Sequence, residues 1–442
     1  MAKWTEDPDI RAAFDWFVDI VGADSWSERK DAIKGHIGEI FKPKMLMGDL
    51  TSPKSRVVYE GDQFAWYLYL AEAYLCHIED YEFAQGARVI PLFKILGQHL
   101  NLLKLVNGVR ERAQRIATSD RRNPDGGLFE LLVALIYKRN GMDSVSFVPE
   151  TPTSPTPDIK VKNSTEEYYV ECKRMSKSSD YSLEEREKWL RIAQPLQEYI
   201  CIRKRPLVVD IVFHVELRSL ENNFVRSELI SKLEFVCCPC VLIDNEVWTV
   251  TVDFVDYKRI DERMSKVDVK LASSSLSELV TGKYEPYRGQ RVMCLVDRSG
   301  INDTYVSKIH FAAATTWSCD AENAKQAKAR DIRRRLAAAL KQLPDAKPGI
   351  VHIGLESHDG MSIEKERYAR IVNTVRQFDA RGKDLDWIYC HIFDPRVPPD
   401  KNWDFGETVY YFGRNNPLSE PLKRMSVALP DDAEVHDGAS WL

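Results

Sequence analysis

The sequence predicts a mixed α/β protein whose first part is helical. Apolar residues recur at helical spacing through much of residues 1–120, where few stretches resemble strands. After residue 121, apolar strand-like runs alternate with amphipathic helical segments. The chain has 442 residues, of which 44% are apolar and 29% charged, as expected for a globular protein of about two to four domains. No run approaches the ~18 consecutive apolar residues that a membrane-spanning helix needs.

The charges of the chain nearly cancel. There are 62 Lys and Arg residues against 67 Asp and Glu residues, a net charge of −5. This balance excludes a protein that coats nucleic acid through bulk positive charge, so nucleic-acid binding would need a local basic patch or a bridging metal. The N-terminus has no basic segment followed by an apolar one, and the nine cysteines are an odd number in a large chain. We therefore expect a cytoplasmic protein with no membrane association and no disulfide framework.

Residues 126–174, with the sequence GGLFELLVALIYKRNGMDSVSFVPETPTSPTPDIKVKNSTEEYYVECKR, are the most informative part of the chain. The pattern predicts one helix followed by three strands, with a Pro/Thr/Ser-rich stretch between the first two strands. The predicted helix is Leu128–Tyr137 and the predicted strands are Val145–Val148, Asp158–Val161 and Tyr168–Lys173.

The remainder of the chain predicts a further α/β pattern. Residues 256–290 are polar and poorly patterned. The predicted helices are Glu184–Ile200, Phe224–Val236, Ala324–Leu343 and Ile363–Phe378, and the predicted strands are Leu207–Leu217, Val247–Val255, Val292–Val296, Tyr305–Phe311, Gly349–Leu355, Trp387–Phe393 and Thr408–Phe412.

Three acids and one lysine in the stretch 126–174 form a candidate catalytic set. Glu130 is the only acid in an apolar helical run, and Asp158 follows Pro157 at the start of a strand. Glu171 and Lys173 are two residues apart on the next strand, so they project to the same face. Pairing of the two strands can bring Asp158 beside Glu171, where the carboxylates repel unless a cation lies between them. Oxygen ligands of this kind suit Mg²⁺.

This order of residues resembles the PD-(D/E)xK nuclease superfamily, the restriction-endonuclease-like proteins. Pro157-Asp158 matches the PD motif, Glu171-Cys172-Lys173 matches ExK, and Glu130 matches the helix acid, with 13 residues from Asp158 to Glu171. The resemblance covers about 50 of the 442 residues. It implies an αβββαβ core, here with a helical N-terminal domain and additional α/β C-terminal elements. It also implies metal-dependent hydrolysis of phosphodiester bonds in nucleic acid.

The resemblance also implies roles for the individual residues. Asp158, Glu171 and the carbonyl of Cys172 would hold Mg²⁺ or Mn²⁺, and Lys173 would position the attacking water and stabilise the transition state. Glu130 would bind a second metal or orient metal-bound waters. Nuclease cores of this kind often serve bacterial restriction or antiphage defence. The sequence leaves DNA and RNA open as substrates, with DNA favoured.

A nuclease core of this type needs a helix and a fourth strand after ExK, and the sequence offers two candidates. One is Glu184–Ile200 leading into Leu207–Leu217, which proximity in the chain favours. The other is Lys325–Leu343 leading into Gly349–Leu355, which resembles family members in which a basic helix with a Gln near its end lines the site; Gln342 would be that residue. In the second case, residues 180–320 are an insertion into the core.

Basic residues near the proposed site and on the predicted helix Ala324–Leu343 are candidate nucleic-acid contacts, because phosphate contacts dominate nucleic-acid affinity. The candidates that flank the site are Lys160, Lys162, Arg174 and Lys177, and those on the helix are Arg330, Arg333 and Arg334. The alternative for the helix is an ordinary solvated face.

The predicted domains are a helical N-terminal domain (1–120), a nuclease core (121–220), a mixed α/β extension or insertion (221–320) and an α/β C-terminal region (321–442) that is a candidate to complete the core. One rival hypothesis is a nucleic-acid-binding module that kept the fold without cleaving. Another is a scaffold whose helical part docks a partner protein or a second copy of the chain.

Two other groups of residues are predicted to be structural. Cys237-Cys238-Pro239-Cys240 contains a C-x-x-C, but the chain has no second C-x-x-C that could complete a zinc site, so buried thiols are expected. His214, His352 and His391 lie in apolar strand-like runs and are expected to be sheet residues.

Overall fold

The computed structural model of the chain contains two mixed β-sheets with helices packed on them. It describes residues 6–41, 58–151, 155–175, 179–271, 273–300, 304–329, 331–345, 347–357, 359–414, 420–431, 433–436 and 438. The predicted mixed α/β class is therefore confirmed. Within these ranges, no helix combines the length and the hydropathy that crossing a membrane requires.

The helices and strands alternate after a helical N-terminal part, in which the described residues before 120 form no strand. The helices are α1 Pro8–Val21, α2 Ala23–Phe41, α3 Gln63–Cys76, α4 Phe83–Gln98, α5 Leu100–Leu103, α6 Val109–Ala117, α7 Asp125–Arg139, α8 Asp180–Ile202, α9 Phe224–Leu233, α10 Tyr257–Met264, α11 Ser274–Thr281, α12 Glu322–Lys328, α13 Arg333–Gln342 and α14 Met361–Gln377. The strands are β1 Ser144–Phe147, β2 Ile159–Lys162, β3 Glu167–Met175, β4 Leu207–Phe213, β5 Cys240–Asp244, β6 Trp248–Phe254, β7 Val269–Lys270, β8 Gly289–Ser299, β9 Tyr305–Cys319, β10 Gly349–Glu356, β11 Leu385–Arg396 and β12 Asp404–Gly413.

The first sheet has the strand order β1-β2-β3-β10-β11-β12. Strands β1 to β3 form an antiparallel meander, β3 and β10 are parallel, β10 and β11 are parallel, and β12 returns antiparallel. Helices cover both faces: α7 and the N-terminal helices pack on one face, and α13 and α14 pack on the other. Every residue of β10 is buried, as expected for a central strand between two helical layers.

The pairing of β3 with β10 shows which of the two candidate strands joins the sheet of β3. Strand β10 follows α13, so the helix and strand near residues 325–355 complete this sheet. The candidate favoured by proximity is wrong, because β4 at 207–213 pairs with β6 and β9 in the other sheet. Parallel strands need a crossover connection but set no upper limit on its length, so nearness in the chain was a poor guide.

The second sheet, with the order β5-β6-β4-β9-β7 and β8 paired to β9, lies wholly in the segment between β3 and β10. It has its own apolar cores, formed with α8 and α9 on one face and with α10 and α11 on the other. The predicted boundary at residue 220 therefore does not separate the two sheets. Residues 256–290, which showed little pattern, supply α10, β7 and α11.

The helix predicted over Ala324–Leu343 is two helices with a break between them, because α12 ends at Lys328 and α13 begins at Arg333. Side chains of α14 hold this break: Arg370 donates to the carbonyl of Ala329 (3.2 Å) and Thr374 donates to Asp331 (2.6 Å). Asp331 also accepts the backbone N–H of Arg333 (3.2 Å) at the start of α13. The helical pattern was right on both sides of the break, but these tertiary contacts override it.

Two buried histidines link the last strands of the first sheet to α7. The Tyr137 hydroxyl lies 3.0 Å from Nε2 of His352, and Nδ1 of His352 lies 2.9 Å from Nε2 of His391. Nδ1 of His391 lies 2.8 Å from the carboxylate of Glu407, which also accepts the backbone N–H groups of Val427 and Ala428. Both histidines are sheet residues, as predicted, but His214 lies just beyond the end of β4, so the prediction for it is wrong. The thiol prediction is wrong: Cys237 and Cys238 are exposed in the turn before β5.

We predict that Gly97→Ala destabilises the N-terminal helices. A Cβ at Gly97 would lie 1.7 Å from the carbonyl oxygen of Asp9, so α1 and α4 would have to separate. The expected loss in the free energy of unfolding is about 1–3 kcal/mol, measured by urea denaturation. Gly35→Ala in α2 is the control, because no described atom lies within 4 Å of its new Cβ and alanine favours the helix. Equal stability of the two variants would contradict this packing.

Candidate active site

Asp158 and Glu171 face each other across the antiparallel strands β2 and β3. The register pairs Ile159 with Val170, so the next pair outward is Asp158 with Glu171, on the same face of the sheet. The backbone N–H of Cys172 donates to Oδ2 of Asp158 at 2.8 Å and fixes this carboxylate. The charge of Asp158 raises the pKa of Glu171, as expected for two neighbouring carboxyl groups. The pairing expected from the sequence is therefore present.

Strand alternation turns the catalytic candidates and the core residues of β3 to opposite faces. Val170 and Cys172 are buried in the apolar core beneath α7. Lys173 projects to the face of Glu171, and its Nζ donates to the Glu171 carboxylate and to the side-chain oxygen of Gln342 at the end of α13. The amide of Gln342 also donates to the carbonyl of Thr156 (3.4 Å). The structure thus brings Gln342 into the site.

Burial shapes the electrostatics of the two facing carboxyl groups. Glu171 has no exposed surface, and this burial, together with the charge of Asp158, raises the pKa of Glu171 to about 9. The pKa of Asp158 is also raised by burial, although the N–H of Cys172 and the charge of Lys173 oppose the shift. Without a cation, the pair is therefore expected to retain a proton near neutral pH.

Glu130 lies near this pair but is already neutralised by an arginine. It sits on α7, is 7% exposed, and forms an ion pair with Arg112 of α6. Burial and then the charge of Asp158 raise the pKa of Glu130 to about 8, and Arg112 opposes the shift. Arg112 was not identified from the sequence, because nothing in its own helix indicates a partner 18 residues later on the next helix.

The donor set fits a hard divalent cation. Oε2 of Glu171 is buried and has no hydrogen-bond partner within the described part of the chain, which leaves one carboxylate oxygen unsatisfied beside Asp158. Mg²⁺ is commonly held by one or two carboxylates plus water. No three His, Cys, Asp or Glu side chains gather into a metal cluster among the described residues. The Cys172 thiol is buried in the apolar core, so a contribution from this residue would have to come from its carbonyl.

Two of the predicted phosphate contacts lie on β2 on the face of the candidate site. Lys160 pairs with Glu167 (2.9 Å) and lies over the ring of Tyr169 (5.8 Å). The ion pair with Glu167 partly neutralises the charge of Lys160. Lys162 is exposed at the end of the strand. Lys162 is therefore the better candidate of the two for a phosphate.

Arg174 is oriented differently from the sequence expectation. It projects to the face opposite Lys173, where its side chain is 8% exposed, pairs with Glu356 and lies over the Phe393 ring (4.6 Å). It is therefore not beside the Asp158–Glu171 pair. Lys177 and Arg330 lie outside the described residues.

The other predicted contacts, Arg333 and Arg334, are exposed and line a cleft of about 1000 Å³ at the carboxyl end of β3. Arg335 and Arg174 line the same cleft. Arg335 was not among the predicted nucleic-acid contacts, although its position directly after Arg333 and Arg334 in the sequence would have supported including it.

In comparisons with protein-family models, with curated proteins and with solved structures, no significant match to this chain is found. What the site can do chemically follows from its own groups. Two facing carboxyl groups can share a cation, and an ammonium group beside them can act on a water molecule or on developing negative charge.

We predict that Glu171→Gln stabilises the metal-free protein at alkaline pH. The folded-state pKa of about 9 exceeds the ordinary value of 4.5, so the folded state holds this proton more tightly than the unfolded chain. This contribution to stability is present below about pH 4.5 and is lost as the pH rises through about 9. The Tm of wild type should therefore fall over this window, and at pH 8 the variant should melt a few degrees higher.

Glu167→Gln on the same strand is the control, because Lys160 lowers the pKa of Glu167 and its removal should bring no gain at pH 8. Adding Mg²⁺ at pH 8 should raise the Tm of wild type and leave that of Glu171→Gln unchanged, since a ligand stabilises only the form that binds it. Parallel pH profiles of wild type and Glu171→Gln would show that burial does not shift the pKa of Glu171 in this way.

Proposed function

We propose that this protein is a divalent-metal-dependent nuclease that hydrolyses phosphodiester bonds of nucleic acid. The observation that carries the proposal is the convergence of Asp158, Glu171 and Lys173 on one face of the first sheet, with a buried carboxylate oxygen left unsatisfied between them. A lysine held beside one buried and one half-buried carboxylate has an evident use in phosphodiester hydrolysis and little use in a structural strand.

The arrangement of elements supports a restriction-endonuclease-like core. The series α7, β1, β2, β3, α13, β10 has the order αβββαβ, and β10 pairs parallel with the strand that carries Glu171 and Lys173. Gln342, from the helix before β10, contacts Lys173, as the resemblance implied for a basic helix with a Gln near its end. On this proposal, the second sheet belongs to an insertion into the nuclease core.

On this proposal, each residue of the site would have a distinct role. Asp158 and Glu171 would hold Mg²⁺ or Mn²⁺, which lowers the pKa of a bound water and neutralises charge on the phosphate. Lys173 would orient the attacking water and stabilise negative charge that develops in the transition state. Gln342 keeps the Lys173 ammonium in place. The ion pair with Arg112 favours the role of Glu130 in orienting metal-bound waters over that of holding a second metal.

The proposed substrate is nucleic acid, with DNA favoured over RNA, and a role in restriction or antiphage defence is part of the proposal. The alternative is a binding module or partner-docking scaffold on the same fold, without cleavage. A cleavage panel of plasmid, linear duplex, single strand and RNA, with Mg²⁺, Mn²⁺ or EDTA, separates the two hypotheses. Metal-dependent cleavage that Asp158→Asn abolishes supports the nuclease.

We predict that Lys173→Ala lowers the single-turnover cleavage rate by about two orders of magnitude or more and changes nucleic-acid affinity little. A lysine that acts on the attacking water or on developing charge matters chiefly in the transition state. The rate would be measured in Mg²⁺ and the affinity in Ca²⁺ on the same substrate. Lys162→Ala is the matched control: this exposed lysine would contact only a ground-state phosphate, so its loss should weaken binding and reduce the salt slope by about one.

The binding-module hypothesis makes the opposite forecast for the same pair of variants. If wild type cleaves no substrate with any metal, and Lys173→Ala shows only a salt-dependent loss of affinity like that of Lys162→Ala, then Lys173 is a phosphate contact and the nuclease proposal fails.

A further inference from the structure

We infer that the cleft at the carboxyl end of β3, here called the arginine cleft, holds backbone phosphates of the substrate strand at a fixed distance from the bond that is cut. The arginine cleft is lined by the first residues of α7, α8 and α13 and by Arg174. The inference rests on the proposed function and adds to it: cleavage would require a strand that continues for several phosphates on one side of the scissile bond.

The first reason is the convergence of helix starts. Asp125 and Gly126 of α7, Asp180 and Tyr181 of α8, and Arg333 of α13 all line the arginine cleft. These helices have 15, 23 and 10 residues, and the positive ends of their dipoles meet at the same space, although the Ser179 side chain caps α8 and Asp331 accepts the N–H of Arg333. A space with these properties favours anions.

The second reason is the set of arginines. Arg333, Arg334 and Arg335 are consecutive and exposed at the start of α13. Arg174 is 8% exposed, and its Nη1 has no hydrogen-bond partner in the part of the chain that the structure describes. A buried guanidinium nitrogen that lacks a partner in the wall of a basic cleft is a donor available to a phosphate oxygen.

The aspartates that line the cleft offset only part of this charge. Asp125 accepts the Tyr67 hydroxyl (2.7 Å) and Arg88 (3.3 Å). Asp331 accepts Thr374 and the backbone of Arg333, as described above. Asp331 also lies 3.9 Å from Nε of Arg333. In the open volume of about 1000 Å³, three exposed arginines therefore face two aspartates, Asp180 and Asp331, which leaves an excess of positive charge.

The third reason is the geometry of α13, which joins the arginine cleft to the candidate active site. Its first residue, Arg333, lines the cleft and its last residue, Gln342, contacts Lys173. Nine helical steps span about 14 Å at 1.5 Å each. A strand of a duplex carries one phosphate per ~3.4 Å of axis, so the arginines at the start of α13 lie about four phosphates from the scissile one, and fewer along an extended single strand.

The test is a scan with neutral phosphates. A duplex that wild type cleaves at a known bond would carry a single methylphosphonate at each of the ten positions on either side of that bond. We expect single-turnover cleavage at low enzyme concentration to slow tenfold or more in a window of two or three phosphates. This window should lie about three to five phosphates from the cut, on one side only.

A charge-removal variant assigns that window to the arginine cleft. The triple substitution Arg333→Gln, Arg334→Gln and Arg335→Gln keeps good helix formers at exposed positions, so folding should be retained and is checked by Tm. It should slow cleavage of the unmodified duplex by tenfold or more, and a methylphosphonate in the window should cause no further loss, because both changes remove the same contact. The matched control for charge is Arg226→Gln, Lys232→Gln and Lys266→Gln, three exposed cations of the second sheet's segment, which should retain the full methylphosphonate effect.

The outcomes separate this inference from the function on which it rests. If wild type cleaves the duplex but the scan is flat beyond the scissile phosphate, or if the window persists undiminished in the triple arginine variant, the inference is overturned and the nuclease stands. If wild type cleaves no substrate, the proposed function fails and the inference fails with it. If the triple arginine variant removes the window and the control triple variant keeps it, both the inference and the proposed function are supported.

Discussion

The parallel pairing of β3 with β10 is the contact on which the remainder of the structure depends. It joins residues 167–175 to residues 349–356 and so closes a very long loop, within which the second sheet folds. The entropic cost of closing a loop rises only slowly with loop length. Such a long insertion is therefore thermodynamically tolerable when it has its own core. The same pairing places α13 over β3 and carries Gln342 to Lys173.

The site that this pairing completes is electrostatically costly on its own. Glu130 and Glu171 are buried and Asp158 is half-buried, and desolvation raises the pKa values of all three carboxyl groups. Glu130 forms an ion pair with Arg112, while Lys173 pairs with Glu171 at the edge of the facing pair. A fold that retains two repelling carboxyl groups in its interior gives up stability that a cation between them could restore, which is the physical basis for treating the pair as a functional feature.

A second consequence of the pairing is that the helical N-terminal part is tied to the same edge of the sheet. Glu356, at the end of β10, accepts Arg88 of α4 (2.8 Å) and also pairs with Arg174 of β3. Arg88 in turn reaches Asp125 at the start of α7. These buried charges lie directly behind the arginine cleft, so the N-terminal helices help to position the residues that line it.

The sequence by itself determined the local elements and the chemistry of the site: the helix around Glu130, the meander of β1 to β3, and the alternation that turns Glu171 and Lys173 to one face. These follow from periods of 3.6 and 2 residues, which are local properties. Tertiary structure alone decided which strand pairs with β3, where the 324–343 pattern breaks, that Arg112 holds Glu130 and that Arg174 is buried. Each of these depends on contacts between residues that are distant in the chain. The local periodicity of the sequence does not encode such contacts.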